Sequence, residues 1–166
     1  TLINNGLPDS DIRTITFQGT KIFAGSFSDG VFLSTDYGVN WSLSNNGFIN
    51  PGVVVLYANG TRIFAGGGGG GVYVSNDSGA NWVAINDGLA DLSIADIAVN
   101  ENYIFIATGS SGVWRRRLEE IPDAVLEVNN NKNLNFYPNP FNISTTLQLS
   151  KPMQNATFSI YDVLGK

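Results

Sequence analysis

The sequence predicts an all-β protein: β-propeller blades, four-stranded on a 41-residue repeat, followed by the start of a small Ig-like β-sandwich. Three observations carry this. Asn5-Gly6, Asn46-Gly47 and Asp87-Gly88 recur at intervals of 41 residues, as do Ile22, Ile63 and Ile104, and Gly30, Gly71 and Gly112. Nineteen glycines with 11% aromatic residues favour short strands and frequent turns over long helices. After Leu118 the period stops, and a Pro- and Asn-bearing linker leads into alternating strands.

The units follow in order. Thr1-Leu2 aligns with Ser42-Leu43, so residues 1–5 read as the strand remnant of a preceding blade. The first full blade, about 10–46, divides into strands near 11–17, 21–27, 31–34 and 40–44 at its Gly, Asn and Asp turns. Along "IRTITF", Ile15 and Phe17 share a face with Arg13 while Thr14 and Thr16 point the other way. The second blade covers 51–87 and the third 93–118. Two full units, an incomplete one and a remnant fall short of the four to eight blades of a propeller. The expectation is a C-terminal piece of a longer protein whose signal peptide lies upstream, with the third unit closing the propeller.

The six glycines 66–71 fall where the first unit has "GSFSDG", between its second and third strands. They read as a floppy copy of a turn that other residues can also make. A phosphate-binding loop needs Lys and Ser or Thr after the last Gly and a helix beyond it, whereas Val72, Tyr73 and Val74 follow here.

"STDYGVNW" and "SNDSGANW" share the spacing S-x-D-x-G-x-x-W, at Ser34, Asp36, Gly38 and Trp41, and again at Ser75, Asp77, Gly79 and Trp82. An Asp two residues before a Gly accepts backbone N–H bonds of its own turn, the Gly takes the left-handed residue, and the Trp buries a large ring at the start of the next strand. The expected role is a structural hairpin lock. In the third unit Arg116, Leu118 and Glu120 occupy the Ser, Asp and Gly positions, so the box is lost. The two boxes resemble the Asp-box, or bacterial neuraminidase repeat, of sialidases, sortilin-type receptors, xyloglucanases and photosystem II assembly factors. The resemblance implies that the boxes lie on outer blade turns, away from any active site.

Candidates for chemistry are sparse. A net charge of -5 disfavours nucleic acid, and the one basic patch, residues 115–117, runs straight into Glu119 and Glu120. The chain has neither Cys nor His, which removes thiol chemistry and the commonest metal ligand and general base, so no metal or cofactor is expected. No apolar run is long enough to insert in a membrane as a helix. A sialidase-like site would need an arginine cluster with a Tyr and Glu; Arg13 and Arg62 stand at roughly corresponding repeat edges without such a set. Xyloglucanase-like hydrolysis would need two carboxylates across a sugar. Asp11, Asp29 and Asp96 are available, yet turn and cap duty explains each. No catalytic residue is assigned. The inter-unit loops "NNGLPDSD", "NNGFINPG" and "NDGLADLS" are the candidate recognition face, with Phe48 as their aromatic.

Residues 119–133 read as linker and 134–166 as the first part of the sandwich. There, Tyr137, Pro138, Asn139, Pro140, Phe141 and Asn142, with Ile160, Tyr161, Asp162, Leu164 and Gly165 further on, resemble the C-terminal sorting domain of type IX secretion cargo. The resemblance implies the type IX secretion machinery as partner and a secreted or outer-surface location in a Gram-negative bacterium of the Bacteroidetes or Chlorobi type. The function expected is a non-enzymatic binding or scaffolding propeller with a glycan or surface protein as ligand. The alternative is a sialidase- or xyloglucanase-like glycoside hydrolase with most catalytic residues outside this sequence.

Overall fold

The computed structural model describes residues 1–8, 11–50 and 52–121, together with the backbone of two strands, Leu134–Tyr137 and Thr146–Leu149. The chain divides into two compact units, Thr1–Val125 and Leu126–Lys166. In the second unit the described backbone is a hairpin of β12 (Leu134–Tyr137) and β13 (Thr146–Leu149), antiparallel with Leu134 opposite Leu149. Tyr137 lies in β12; the other ten sorting-motif residues lie outside the described residues.

The first unit is all-β. β1 (Ile12–Gln18), β2 (Lys21–Ser26), β3 (Gly30–Ser34) and β4 (Ser42–Leu43) form one antiparallel sheet in chain order. β5 (Val55–Asn59), β6 (Arg62–Gly67), β7 (Gly71–Ser75) and β8 (Val83–Ala84) form a second of the same order. β9 (Ile94–Val99), β10 (Tyr103–Thr108) and β11 (Val113–Arg117) form the third. The third unit thus shows three strands among the described residues, and a short 3₁₀ turn, Leu118–Glu120, follows where the boxes stand in the other two. The sheets stack in a manner consistent with a propeller-like repeat, and the described residues form no closed ring.

The first two sheets bury both faces of their middle strands, which is why "KIFAGS" and "RIFAGG" are almost continuously apolar. Between the first two sheets, Phe23 and Val31 of one pack against Leu56, Ile63, Tyr73 and Trp82 of the next. Between the second and third, Phe64, Val72 and Val74 meet Ile94, Ile97, Ile104 and Ile106. The register shift opposite Ala107 and Thr108 lets Ile94 and Ile97, three residues apart, enter the same cluster. A third, smaller cluster of Ala24, Phe32 and Trp41 lies on the outer side of the first sheet.

The alternation in β1 has an unexpected polarity. Thr14 and Thr16 are the half-buried residues and Ile15 and Phe17 the exposed ones. Thr14 faces the second sheet, its Oγ1 accepting the Leu56 N–H at 3.1 Å.

The polyglycine run is also more demanding than a floppy turn. Gly67 lies so close to the chain at Gly52 that a Cβ would come within 2.1 Å of the Gly52 carbonyl oxygen. Gly71 has φ +77, and its Cβ would collide with the Asn86 side chain. These two positions require glycine because backbone and an Asn amide already occupy the space a side chain needs.

Candidate functional site

The two boxes are built alike. After β3, the Ser34 hydroxyl donates to Asp36 Oδ1 at 2.9 Å and accepts the Gly38 N–H at 2.8 Å. The Asp36 carboxylate then accepts from Asn40 twice, from its backbone N–H at 2.9 Å and from its side-chain amide at 2.7 Å. Ser75, Asp77, Gly79 and Asn81 repeat every one of these bonds after β7. Two consecutive left-handed residues carry each turn, Tyr37 and Gly38 in the first and Ser78 and Gly79 in the second. A non-glycine residue tolerates that conformation here because the Ser and Asp side chains bond the turn on both sides.

These donors hold both carboxylates below the ordinary aspartate value of 3.8. For Asp36 the Asn40 backbone N–H contributes most. For Asp77 partial desolvation is the largest influence and pushes the other way, but the bonds from Asn81 and Ser75 together outweigh it.

The tryptophans join sheets rather than merely filling space. Trp82 donates its indole N–H to the Ser44 carbonyl at 2.8 Å, and Ser44 Oγ donates to the Gly79 carbonyl at 2.5 Å, so the second box is tied to the end of the preceding sheet. Trp41 makes the same bond to Ile3 at 2.9 Å. An Asn pair accompanies each joint: Asn5 donates to Asn40, and Asn46 to Asn81.

Several asparagines were silent in the sequence reading. Asn40 and Asn81 complete the boxes, while Asn45 and Asn86 accept the N–H of Val31 and Val72 and donate to the carbonyls of Asp29 and Gly70. Their recurrence at 41 residues was the available signal. Asp91 was missed as well: it accepts the Ser93 N–H, the Ser110 N–H and the Ser110 hydroxyl at 2.7–2.8 Å, pinning the loop before β9 to the turn after β10. The Ser110 hydroxyl is the leading cause of its lowered pKa.

Each candidate catalytic carboxylate is engaged locally. Asp11 pairs with Arg13, Asp29 receives the hydroxyls of Ser26 and Ser28, and Asp96 caps the N–H of Ile97. The two arginines have different partners: Arg13 lies over the Phe27 ring at 5.5 Å, whereas Arg62 donates to the Leu118 carbonyl at 2.9 Å. Phe48 offers no exposed platform, because it stacks in the core against Tyr73 and Trp82 at centroid distances of 4.4 and 5.1 Å. Among the described residues no group of three or more acidic side chains could hold a metal ion, and no helix is long and apolar enough to cross a membrane.

A cluster of charged side chains lies beside β10 and β11. Arg115 and Arg117 flank the Tyr103 ring, their guanidinium carbons 5.1 and 6.0 Å from its centroid, and Arg117 also bonds Glu119 at 2.8 Å. Glu101, Asn102 and Leu118 complete an open groove of about 320 Å³ there. The Glu119 hydrogen bond is the main cause that raises the Arg117 pKa, so this arginine is a fixed cation.

No family profile matches the chain, and no curated protein does. Among solved structures it is similar to the GH74 xyloglucanase of Xanthomonas campestris, with 17% identity and a TM-score of 0.49 over 68% of this chain and 23% of that one. The chain thus spans about a quarter of that protein's length, and the likeness is one of all-β fold. Two expectations are corrected against it. The solved structure matched is an enzyme, whereas the sequence-based expectation was of a non-enzymatic protein. It is named a GH74 xyloglucanase, whereas the labels expected for this chain were a sialidase-like propeller and a type IX sorting domain.

Proposed function

We propose that the chain supplies supporting blades to a glycoside hydrolase acting on a plant-type or related polysaccharide, with the catalytic carboxylates outside the described residues. The observation that carries this reading is the pair of S-x-D-x-G-x-x-W boxes, which resemble those of xyloglucanases and whose tryptophans tie the first sheet to residues 1–5 and the second sheet to the first. The engagement of Asp11, Asp29 and Asp96 in local bonds supports a scaffold role for these blades, because a hydrolytic pair must face one sugar from two sides. The test is release of reducing ends from xyloglucan and a panel of β-glucans by the full-length polypeptide and by residues 1–166 alone. Cleavage by the former and none by the latter is expected; an inert full-length protein overturns the reading.

The residues at 137–142 and 160–165 support, by their sequence alone, an exported protein recognised by type IX secretion machinery. Fractionation of a tagged full-length protein in cells with and without that machinery tests this. Retention in the periplasm only when it is missing is the expected outcome.

A further inference from the structure

Three Asn-Gly dipeptides occur in the chain: Asn5-Gly6, Asn46-Gly47 and Asn59-Gly60. Such a pair carries chemistry of its own, because the glycine nitrogen, once deprotonated, can attack the neighbouring side-chain amide; asparagine is accordingly among the thermolabile residues. The attack needs an Asn amide free to turn and a glycine free to approach it. The fold supplies both at one pair and denies them at the other two.

Asn5 and Asn46 belong to the box joints. Each donates its side-chain amide to an Asn of the box that follows, Asn40 or Asn81. Each backbone carbonyl accepts a Trp N–H, from Trp41 at 2.9 Å and from Trp82 at 2.8 Å. Gly6 and Gly47 pack so closely on the same two tryptophans that a Cβ on either would collide with the Trp carbonyl oxygen. Both halves of these pairs are therefore held.

Asn59-Gly60 lies at the tip between β5 and β6, where Asn59 stands opposite Arg62 across a two-residue turn. Both residues of the pair are exposed. Among the described residues the Asn59 side chain makes no hydrogen bond and the Gly60 N–H has no acceptor. A Cβ on Gly60 would meet nothing within 4 Å. The equivalent tips of the other sheets differ. The first has Gln18-Gly19, whose longer side chain would have to close a larger ring and whose amide already donates to the Gly60 carbonyl at 3.0 Å. The third has Asn100-Glu101, where a side chain replaces the glycine and Asn100 Oδ1 accepts the N–H groups of Asn102 and Tyr103.

We propose that Asn59 is a site of covalent modification by deamidation, with Asn5 and Asn46 protected by the box joints. Hydroxide removes the Gly60 N–H proton, the nitrogen bonds to Asn59 Cγ, and the side-chain nitrogen leaves as ammonia. Water then opens the succinimide at either carbonyl, leaving aspartate or isoaspartate at position 59. The net change is one water consumed and one ammonia released. Isoaspartate adds one backbone atom to a turn of two residues, which carries the Gly60 carbonyl away from the Gln18 amide and breaks the bond between the two tips.

The test incubates the whole 166-residue chain in mildly alkaline buffer, with and without denaturing urea, and follows each Asn-Gly peptide by mass spectrometry. In the folded chain, conversion at Asn59 is expected to outpace that at Asn5 and Asn46 by more than ~10-fold, while in urea the three rates come within about threefold of one another. A smaller ratio in the folded chain overturns the proposal. So does a ratio that stays above about threefold in urea, since the selectivity would then belong to the local sequence and not to the joints. The side-chain amide signals of Gln18 in an NMR spectrum should shift in step with isoaspartate formation; signals that stay in place overturn the loss of the tip bond.

Discussion

The indole N–H of Trp82 and the carbonyl of Ser44 meet at 2.8 Å across the boundary between two sheets, and both residues are buried. Trp82→Phe keeps most of the ring but leaves a buried carbonyl without its donor, a cost of about 1–3 kcal/mol. Trp82→Ala adds a cavity and should cost roughly 3–5 kcal/mol. Urea unfolding of the three proteins checks the order; equal midpoints for wild type and Trp82→Phe would show that the bond contributes nothing.

Acid should loosen the boxes. Asp36 and Asp77 have folded pKa values below 3.8, so their contribution to stability is complete above that value and is lost as pH falls through the folded pKa values. Asp77→Asn should therefore be less stable near pH 7 and show a flatter decline below pH 3.8 than wild type. Thermal midpoints measured from pH 7 to pH 2 that run parallel for the two proteins would contradict this.

Glycines 67 and 71 should behave unlike Gly68. A Cβ on Gly68 meets nothing closer than 3.9 Å, so Gly68→Ala is expected within about 0.5 kcal/mol of wild type. Gly67→Ala and Gly71→Ala each force backbone or the Asn86 amide to move and should cost more than ~1 kcal/mol. Chemical denaturation of the three variants gives the ranking.

Asp91→Ala should release a loop without melting the sheets. Its carboxylate is the acceptor for the Ser93 and Ser110 N–H groups, so amide exchange at both should accelerate while exchange in β6 and β10 stays slow. Unchanged exchange at Ser110 would mean that the loop is held by other contacts.

The repeat made most of this unit readable. Strand positions followed from the 41-residue period because each turn carries Gly, Asn or Asp at the same offset, and the observed β1 to β3 lie within about one residue of their expected bounds. The fourth strands came out shorter, two residues in β4, because the Trp41 N–H leaves the ladder with β3 to bond the Asn5 carbonyl. What a period cannot reveal is partnership between units. The indole and Asn joints reach from one repeat into another, and Phe48, a loop aromatic by sequence, lies against Tyr73 and Trp82 in the fold. The candidate carboxylates were legible as residues, but their local partners depended on which turns their own side chains close.

The bonds that join sheets in this unit have a further consequence for how it is made. Those from Asn5, Trp41, Thr14, Ser44 and Trp82 span 35, 38 or 42 residues, about one repeat. During synthesis a sheet can find its partner as soon as the next forty or so residues leave the ribosome, with no wait for a distant terminus. The order of assembly is thereby written into the order of translation, and a longer stack of such repeats would take more time to synthesise without adding a slower search.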